Sequence, residues 1–315
     1  MAARKVDVPW LNFFSYGRHG PSERTALTAA HIEYIRRTVG RSPEVMIKVL
    51  PKGAGTTRAV ANHIAYVGRE GELAIETDDG QSLQDEKAGA TLAADWSLDM
   101  EAEARSLEPR AQQRSARLVH KLVFSMPPGT APEKVLCATK AFCREEFALK
   151  HRYALALHTD EAHPHVHVIV KAMSESGQRM NIRKATLQAW RESFAKELRK
   201  QGVPAHASSR RVRGNSAPRM SDGRYRSVQR GASILGARSV AINDRPETVR
   251  SLVVGWAAVG EQLRQQGQHA LSHEVFRFAR QLPVLRVRRG ASASLPADSA
   301  ISVPVRKIDE LRHVR

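Results

Sequence analysis

Residues His158 to Val170 constrain the fold of this chain more than any other stretch. Four of the thirteen histidines fall there, at 158, 163, 165 and 167. His165 and His167 alternate with Val166 and Val168 and run into Ile169 and Val170. A β-branched run of this kind is a strand, and its period of two sets both imidazoles on one face. A second apolar run, Tyr153 to Leu157, ends at His158, and Thr159 to Pro164 supplies a polar turn. A hairpin through that turn returns His158 beside His165 and His167. Three neutral imidazoles converging from adjacent strands are a ligand set for one divalent ion, with open positions left for a substrate. A lone strand histidine is more often a hydrogen-bonded surface or core residue. Three on one expected face, ahead of a buried-type strand, favour the metal.

The charge balance points to a polyanionic partner. Fifty Lys and Arg stand against 32 Asp and Glu, a formal +18. Residues 204–315 hold a net +12 of this, and Lys307 is the one basic residue there that is not Arg. Such an excess suits nucleic acid or an anionic surface. Glu70 to Glu108, in contrast, is acidic. No apolar run approaches the ~20 residues that span a bilayer. The N-terminus shows no apolar core with a small-residue cleavage site, so a secretory signal is not expected. Cys137 and Cys143 lie six apart in an expected helix, without metal spacing or a disulfide framework. The pattern fits a reducing cytoplasm.

Along the chain, residues 1–44 read as an N-terminal extension with a helix from about Thr25 to Val39, stopped by Gly40. Val45 to Leu50 is a first core strand, and a Gly-containing turn leads to Thr56 or Thr57 as N-cap of a helix to about Arg69. Gly71 is expected to stop it. Glu72 to Thr77 reads as a strand, Ser82 to Arg105 as helix, and Leu118 to Phe124 as a strand closed by Pro127-Pro128-Gly129. An amphipathic helix from Ala131 to Leu149 precedes the hairpin, and Thr186 to Gln201 is a last clear helix. This order describes an α+β domain over 45–203, a mainly antiparallel sheet flanked by helices. Residues 204–315 form an Arg-rich C-terminal region, with helices expected near 253–266 and 272–280 and disorder beyond Arg286.

Three blocks resemble the conjugative and mobilisation relaxases of the MobA and T-DNA border endonuclease type, within the histidine–hydrophobic–histidine endonucleases. The first is the strand, turn and helix ending in Tyr66-Val67-Gly68-Arg69-Glu70-Gly71. The second is His120 to Thr130. The third is the histidine hairpin followed by Asn181-Ile182-Arg183-Lys184 and the helix through Trp190. The resemblance implies a sheet shared with rolling-circle initiators and a cut in one strand at an origin of transfer. It selects Tyr66 as nucleophile; on helical spacing alone Tyr66 is an amphipathic residue packed on the sheet with its hydroxyl in water. By the same analogy Asp160 orients a ligand imidazole, though Asp also shapes turns. His120 is either a buried, satisfied histidine or a residue approaching the site.

The chemistry suits these residues. A phosphodiester is an anion, so attack needs charge neutralisation and an aligned nucleophile. Mg²⁺ or Mn²⁺ on His158, His165 and His167 would act as Lewis acid and template. Arg183, Lys184, Arg210, Arg211 and Arg213 are candidate DNA-backbone contacts, since a planar guanidinium binds phosphate bidentately. The resemblance further implies accessory relaxosome proteins and a type IV secretion coupling protein as partners. It also implies action in the bacterial cytoplasm, with a recruitment signal in the tail for translocation alongside the transferred strand. No helicase or primase segment is expected, so strand separation would come from supercoiling or partners. Two rival readings are a rolling-circle replication initiator, for which Tyr225 is the downstream candidate, and a non-cutting DNA-binding protein with a structural metal.

Overall fold

The computed structural model describes residues 26–51, 55–106, 117–214 and 246–283. They divide between a unit that ends at Ser209 and one that begins at Arg210. Tyr225, the N-terminal residues before 26 and the tail expected to be disordered beyond Arg286 lie outside the described residues.

The first unit is built on a six-stranded antiparallel sheet. Its strands are β1 (Met46–Val49), β2 (Ile75–Thr77), β3 (Ser82–Leu83), β4 (Val119–Ser125), β5 (Tyr153–His158) and β6 (His165–Lys171), in the spatial order β1-β4-β6-β5-β2-β3. The helices are α1 (Ala29–Val39), α2 (Thr57–Val67), α3 (Ala88–Asp95), α4 (Leu98–Ser106), α5 (Pro132–Glu146) and α6 (Lys184–Lys200).

The period of two sorts the strand residues between two cores. On one face Leu122, Phe124, Leu155, Val166, Val168 and Val170 meet α5 and α6. Phe124 is the hub there, with ring centroids 5.0 Å from Phe142 and 5.1 Å from Phe194. On the other face Val119, Ala154, Ala156 and Ile169 lie under α2 and α3, which contribute Val60, Ile64, Val67, Leu92 and Ala93. The acidic stretch finds its partner in this unit. Arg152, just ahead of β5, reaches Asp78 and Asp95 at 2.8 Å each. α1 joins the unit through His206, whose Nε2 is 2.8 Å from Thr38 Oγ1.

Most expected elements are present with ends moved by a few residues. Two differ in kind. The helix expected over Ser82–Arg105 is an edge strand and two helices. Leu83 pairs with Ile75 across the turn at Asp78–Gly80, and Ser97, at φ 52°, breaks α3 from α4. The helix expected to reach Arg69 stops at Val67, capped by Gly68, and a 3₁₀ turn over Arg69–Gly71 follows. Arg69 and Glu70 take left-handed φ of 49° and 54°, a conformation that non-glycine residues rarely adopt.

In the second unit α7 (Pro246–Gln265) and α8 (His269–Arg280) pack side by side. Ser272 Oγ donates to the Gly260 carbonyl at 2.7 Å, and the Trp256 ring lies 5.0 Å from Phe278. Among the described residues, no helix is long and apolar enough to cross a membrane.

Candidate active site

The hairpin register brings the three histidines together. His158 pairs directly with His165, and Ala156 pairs with His167. Ring centroids are 5.2 Å apart for His158–His165, 4.6 Å for His158–His167 and 5.3 Å for His165–His167. One nitrogen from each can be chosen so that all three lie within 4.8 Å of one another. With metal–nitrogen bonds of about 2.0–2.2 Å, small side-chain rotations place all three on one ion.

Electrostatics keeps the set ready for a cation. Burial, then the charge of His158 and His165, holds the His167 imidazole down to about 3. Burial also lowers His158. Both are therefore neutral at pH 7, with a lone pair to give. One nitrogen of each of two of these histidines meets a carbonyl: His158 Nε2 donates to Val67 O at 2.8 Å, and His165 Nδ1 donates to His163 O at 3.2 Å. In these tautomers His158 offers Nδ1 and His165 offers Nε2.

The end of α2 that carries Tyr66 closes onto this cluster through Val67. Thr56 caps the helix, accepting from Ala59 N at 3.2 Å. Val60, Ile64 and Val67 form the buried stripe against the sheet. Tyr66 falls off that stripe and remains 68 % exposed, the opposite of a packed core tyrosine. Three contacts tie its neighbourhood to the hairpin: Val67 O accepts a hydrogen bond from His158 Nε2, Arg69 pairs with Asp160 at 2.5 Å, and His63 meets the His167 ring at 6.4 Å.

Asp160 sits at the rim. Its carboxylate is 3.8 Å from His158 Nδ1, beyond hydrogen-bond length, and its close partner is Arg69. The hydrogen bond that sets the His158 tautomer comes from the Val67 carbonyl instead. His163 is exposed and contributes its carbonyl to His165. His120 pairs with Val170 in a register that turns it to the opposite face of the sheet, so it does not approach the histidine cluster. There it lines an open cleft of about 460 Å³ with Arg117, Arg179 and Asn181. Arg183 and Lys184, both exposed, begin α6 on that same opposite face. Arg210 and Arg211 are exposed and Arg213 half-buried, all in the second unit.

Two residues on the face of the histidine cluster went unread in the sequence. His63 lies one helical turn before Tyr66, its ring stacked at a centroid distance of 6.2 Å. Lys121, on β4, is 8 % exposed and faces the same layer. Burial and then the Lys121 charge push His63 down to about 4. The i, i+3 spacing to Tyr66 was the available signal for His63.

Residues 72–203 match the relaxase family described as MobA/VirD2-like, nuclease domain. This segment is similar to a MobA/VirD2-like relaxase nuclease domain. The match begins six residues after Tyr66. The T-DNA border endonuclease VirD2 of Rhizobium rhizogenes is 25% identical over 203 residues, 60% of this chain and 46% of the relative. VirD2 of Agrobacterium fabrum strain C58 is 25% identical over 201 residues, 59% of this chain and 44% of the relative. The chain thus spans a little under half the length of these relatives. A solved structure on the molecular basis of vancomycin resistance transfer in Staphylococcus aureus aligns over 53% of this chain and 99% of its own, at 14% identity. Its TM-score of 0.33 gives that alignment no structural weight.

Proposed function

We propose that this chain nicks and rejoins one strand of DNA at an origin of transfer, through a covalent bond to Tyr66. The observation that carries the reading is the closure of the Tyr66 segment onto the three-histidine cluster, through the Val67–His158 hydrogen bond. An exposed phenol carried on a helix that closes onto three converging imidazoles is an arrangement for attack on a bound phosphate.

A divalent ion on His158, His165 and His167, Mg²⁺ or Mn²⁺, would polarise a phosphate oxygen and offset charge developing at phosphorus. The Tyr66 hydroxyl loses its proton as its oxygen forms a bond to phosphorus. The bond from phosphorus to the 3′ oxygen breaks, and that oxygen takes up a proton as a 3′-OH. One phosphoester replaces another, so the strand is held as a 5′-phosphotyrosyl ester and the 3′-OH can reverse the step. Asp160 and Arg69, paired at the rim, hold the turn of the hairpin against the end of α2. Arg183, Lys184, Arg210, Arg211 and Arg213 are proposed as backbone contacts, in keeping with the +18 charge. Accessory origin-binding proteins and a secretion coupling protein are the partners this reading requires, and the bacterial cytoplasm is its setting.

The test is intact mass and peptide mapping after incubation with Mn²⁺ and supercoiled DNA carrying the cognate origin, followed by nuclease digestion. A nucleotide adduct on the Tyr66 peptide is expected, absent from Tyr66→Phe, which should keep the wild-type melting curve because the side chain is exposed. An adduct on Tyr225 would replace this reading with a replication initiator. Nicking by Tyr66→Phe at the wild-type rate would refute the nucleophile.

A further inference from the structure

Each ligand imidazole needs its second nitrogen satisfied, because that contact fixes which nitrogen faces the ion. His158 and His165 use carbonyls for this. Among the described residues His167 has none: its Nδ1 is buried with no hydrogen-bond partner there. On the adjoining helix, His63 Nε2 is buried and unpartnered in the same way. Leaving a buried donor and a buried acceptor both unmet is costly, so two such atoms on neighbouring rings call for a common solution.

Geometry supplies it. The His63 and His167 rings meet edge-on, with centroids 6.4 Å apart and planes at 67°. A direct N–H···N bond of about 2.9–3.0 Å would draw the centroids to roughly 5 Å. The larger separation suits one water that accepts from one ring and donates to the other. The opposite side of His63 is also engaged. Tyr66, three residues on, stacks against it with planes 21° apart. Lys121, buried on β4, faces the same layer.

We propose that His63 is a positioning residue for both halves of the site: through one bridging water its Nε2 accepts from His167 Nδ1–H, leaving His167 Nε2 to the ion, while its ring seats Tyr66. The inference rests on the reading of the three histidines as a metal centre. It makes a single turn of α2 responsible for the orientation of the third ligand and of the nucleophile. Loading of the ion and placement of the phenol are then coupled.

The test compares full-length wild type with His63→Phe, which keeps a ring against Tyr66 but has no acceptor, and His63→Gln, which restores an acceptor at similar reach. Mn²⁺ affinity is measured by electron paramagnetic resonance of the free ion, without DNA. Loss of an orienting partner typically weakens a metal site about 10–100-fold, so His63→Phe should fall in that range and His63→Gln should stay within about threefold of wild type. In metal-free wild type, ¹⁵N spectra of labelled histidine should show His167 protonated at Nδ1. Equal affinity in all three proteins would overturn the proposal, as would His63→Gln as weak as His63→Phe, which would mean packing alone. A wild-type His167 protonated at Nε2 would also overturn it, and that measurement stands even if His63→Phe does not fold. Wild type that binds no Mn²⁺ would refute the metal reading itself, and the His167 tautomer would then decide the His63 contact alone.

Discussion

Gly89→Ala should damage activity from a distance, through the helix that carries Tyr66. Gly89 lies in α3 where it crosses α2. A Cβ there would overlap the Ala61 carbonyl oxygen and stand 3.0 Å from the carbonyl carbon and 3.3 Å from Cα. Carbon atoms pack best at about 3.5–4.0 Å, so the two helices must part by roughly 0.5–1 Å. The obstacle is backbone, and no side chain can swing aside. Alanine would otherwise gain about 0.8–1 kcal/mol over glycine inside a helix. Overpacking costs about 1–3 kcal/mol, and a backbone clash belongs at the upper end, for a net loss of about 2 kcal/mol. In a domain of this size that lowers Tm by roughly 4–8 °C. Ala61 is two residues from His63 and five from Tyr66 on the same helix. A displacement near 1 Å at the nucleophile costs on the order of 100-fold in rate. Thermal melting and plasmid nicking would be measured against Gly55→Ala, where the added Cβ meets nothing within 4 Å. A Gly89→Ala protein that melts at the wild-type temperature and nicks at the wild-type rate would refute the argument.

Phe124→Ala should cost about 3–5 kcal/mol in urea unfolding, since it empties the fully buried hub of the α5–α6 core; a loss under 1 kcal/mol would show that core to be loosely packed. Acid should also destabilise the metal-free protein. Burial is the main cause holding His63 and His120 to about 4 and His167 to about 3, against an ordinary 6.5. The unfolded chain takes up these protons first, so their contribution is full above pH 6.5 and is lost as pH falls through 4 toward 3. The urea midpoint is expected to be lower at pH 5 than at pH 7.5, and equal midpoints would contradict the burial of these rings.

Much of the candidate site was legible because it is local. Alternation in His165-Val166-His167-Val168 puts two imidazoles on one face, and a six-residue turn leaves His158 opposite His165. The α2 cap at Thr56 and the stripe of Val60, Ile64 and Val67 follow from spacing in the same way. Proposing Tyr66 as the nucleophile needed the family resemblance, since helical periodicity by itself assigned it to packing.

What sequence alone determined were most of the strands and helices and the convergence of three histidines, because periods of 2 and 3.6 are properties of a few consecutive residues. Only the tertiary structure decided the rest. The face on which His120 lies depends on the β4–β6 register, Val123 opposite His167, and a slip by one residue would have turned it toward the cluster. The Val67 carbonyl became the partner of His158, and Arg69 that of Asp160, through contacts 91 residues apart in both cases. Ser82 and Leu83 became an edge strand because β2 offered them a ladder. Such choices belong to the packing of α2 and α3 on the sheet, where segments distant in the chain compete for one surface, and no local pattern records the outcome.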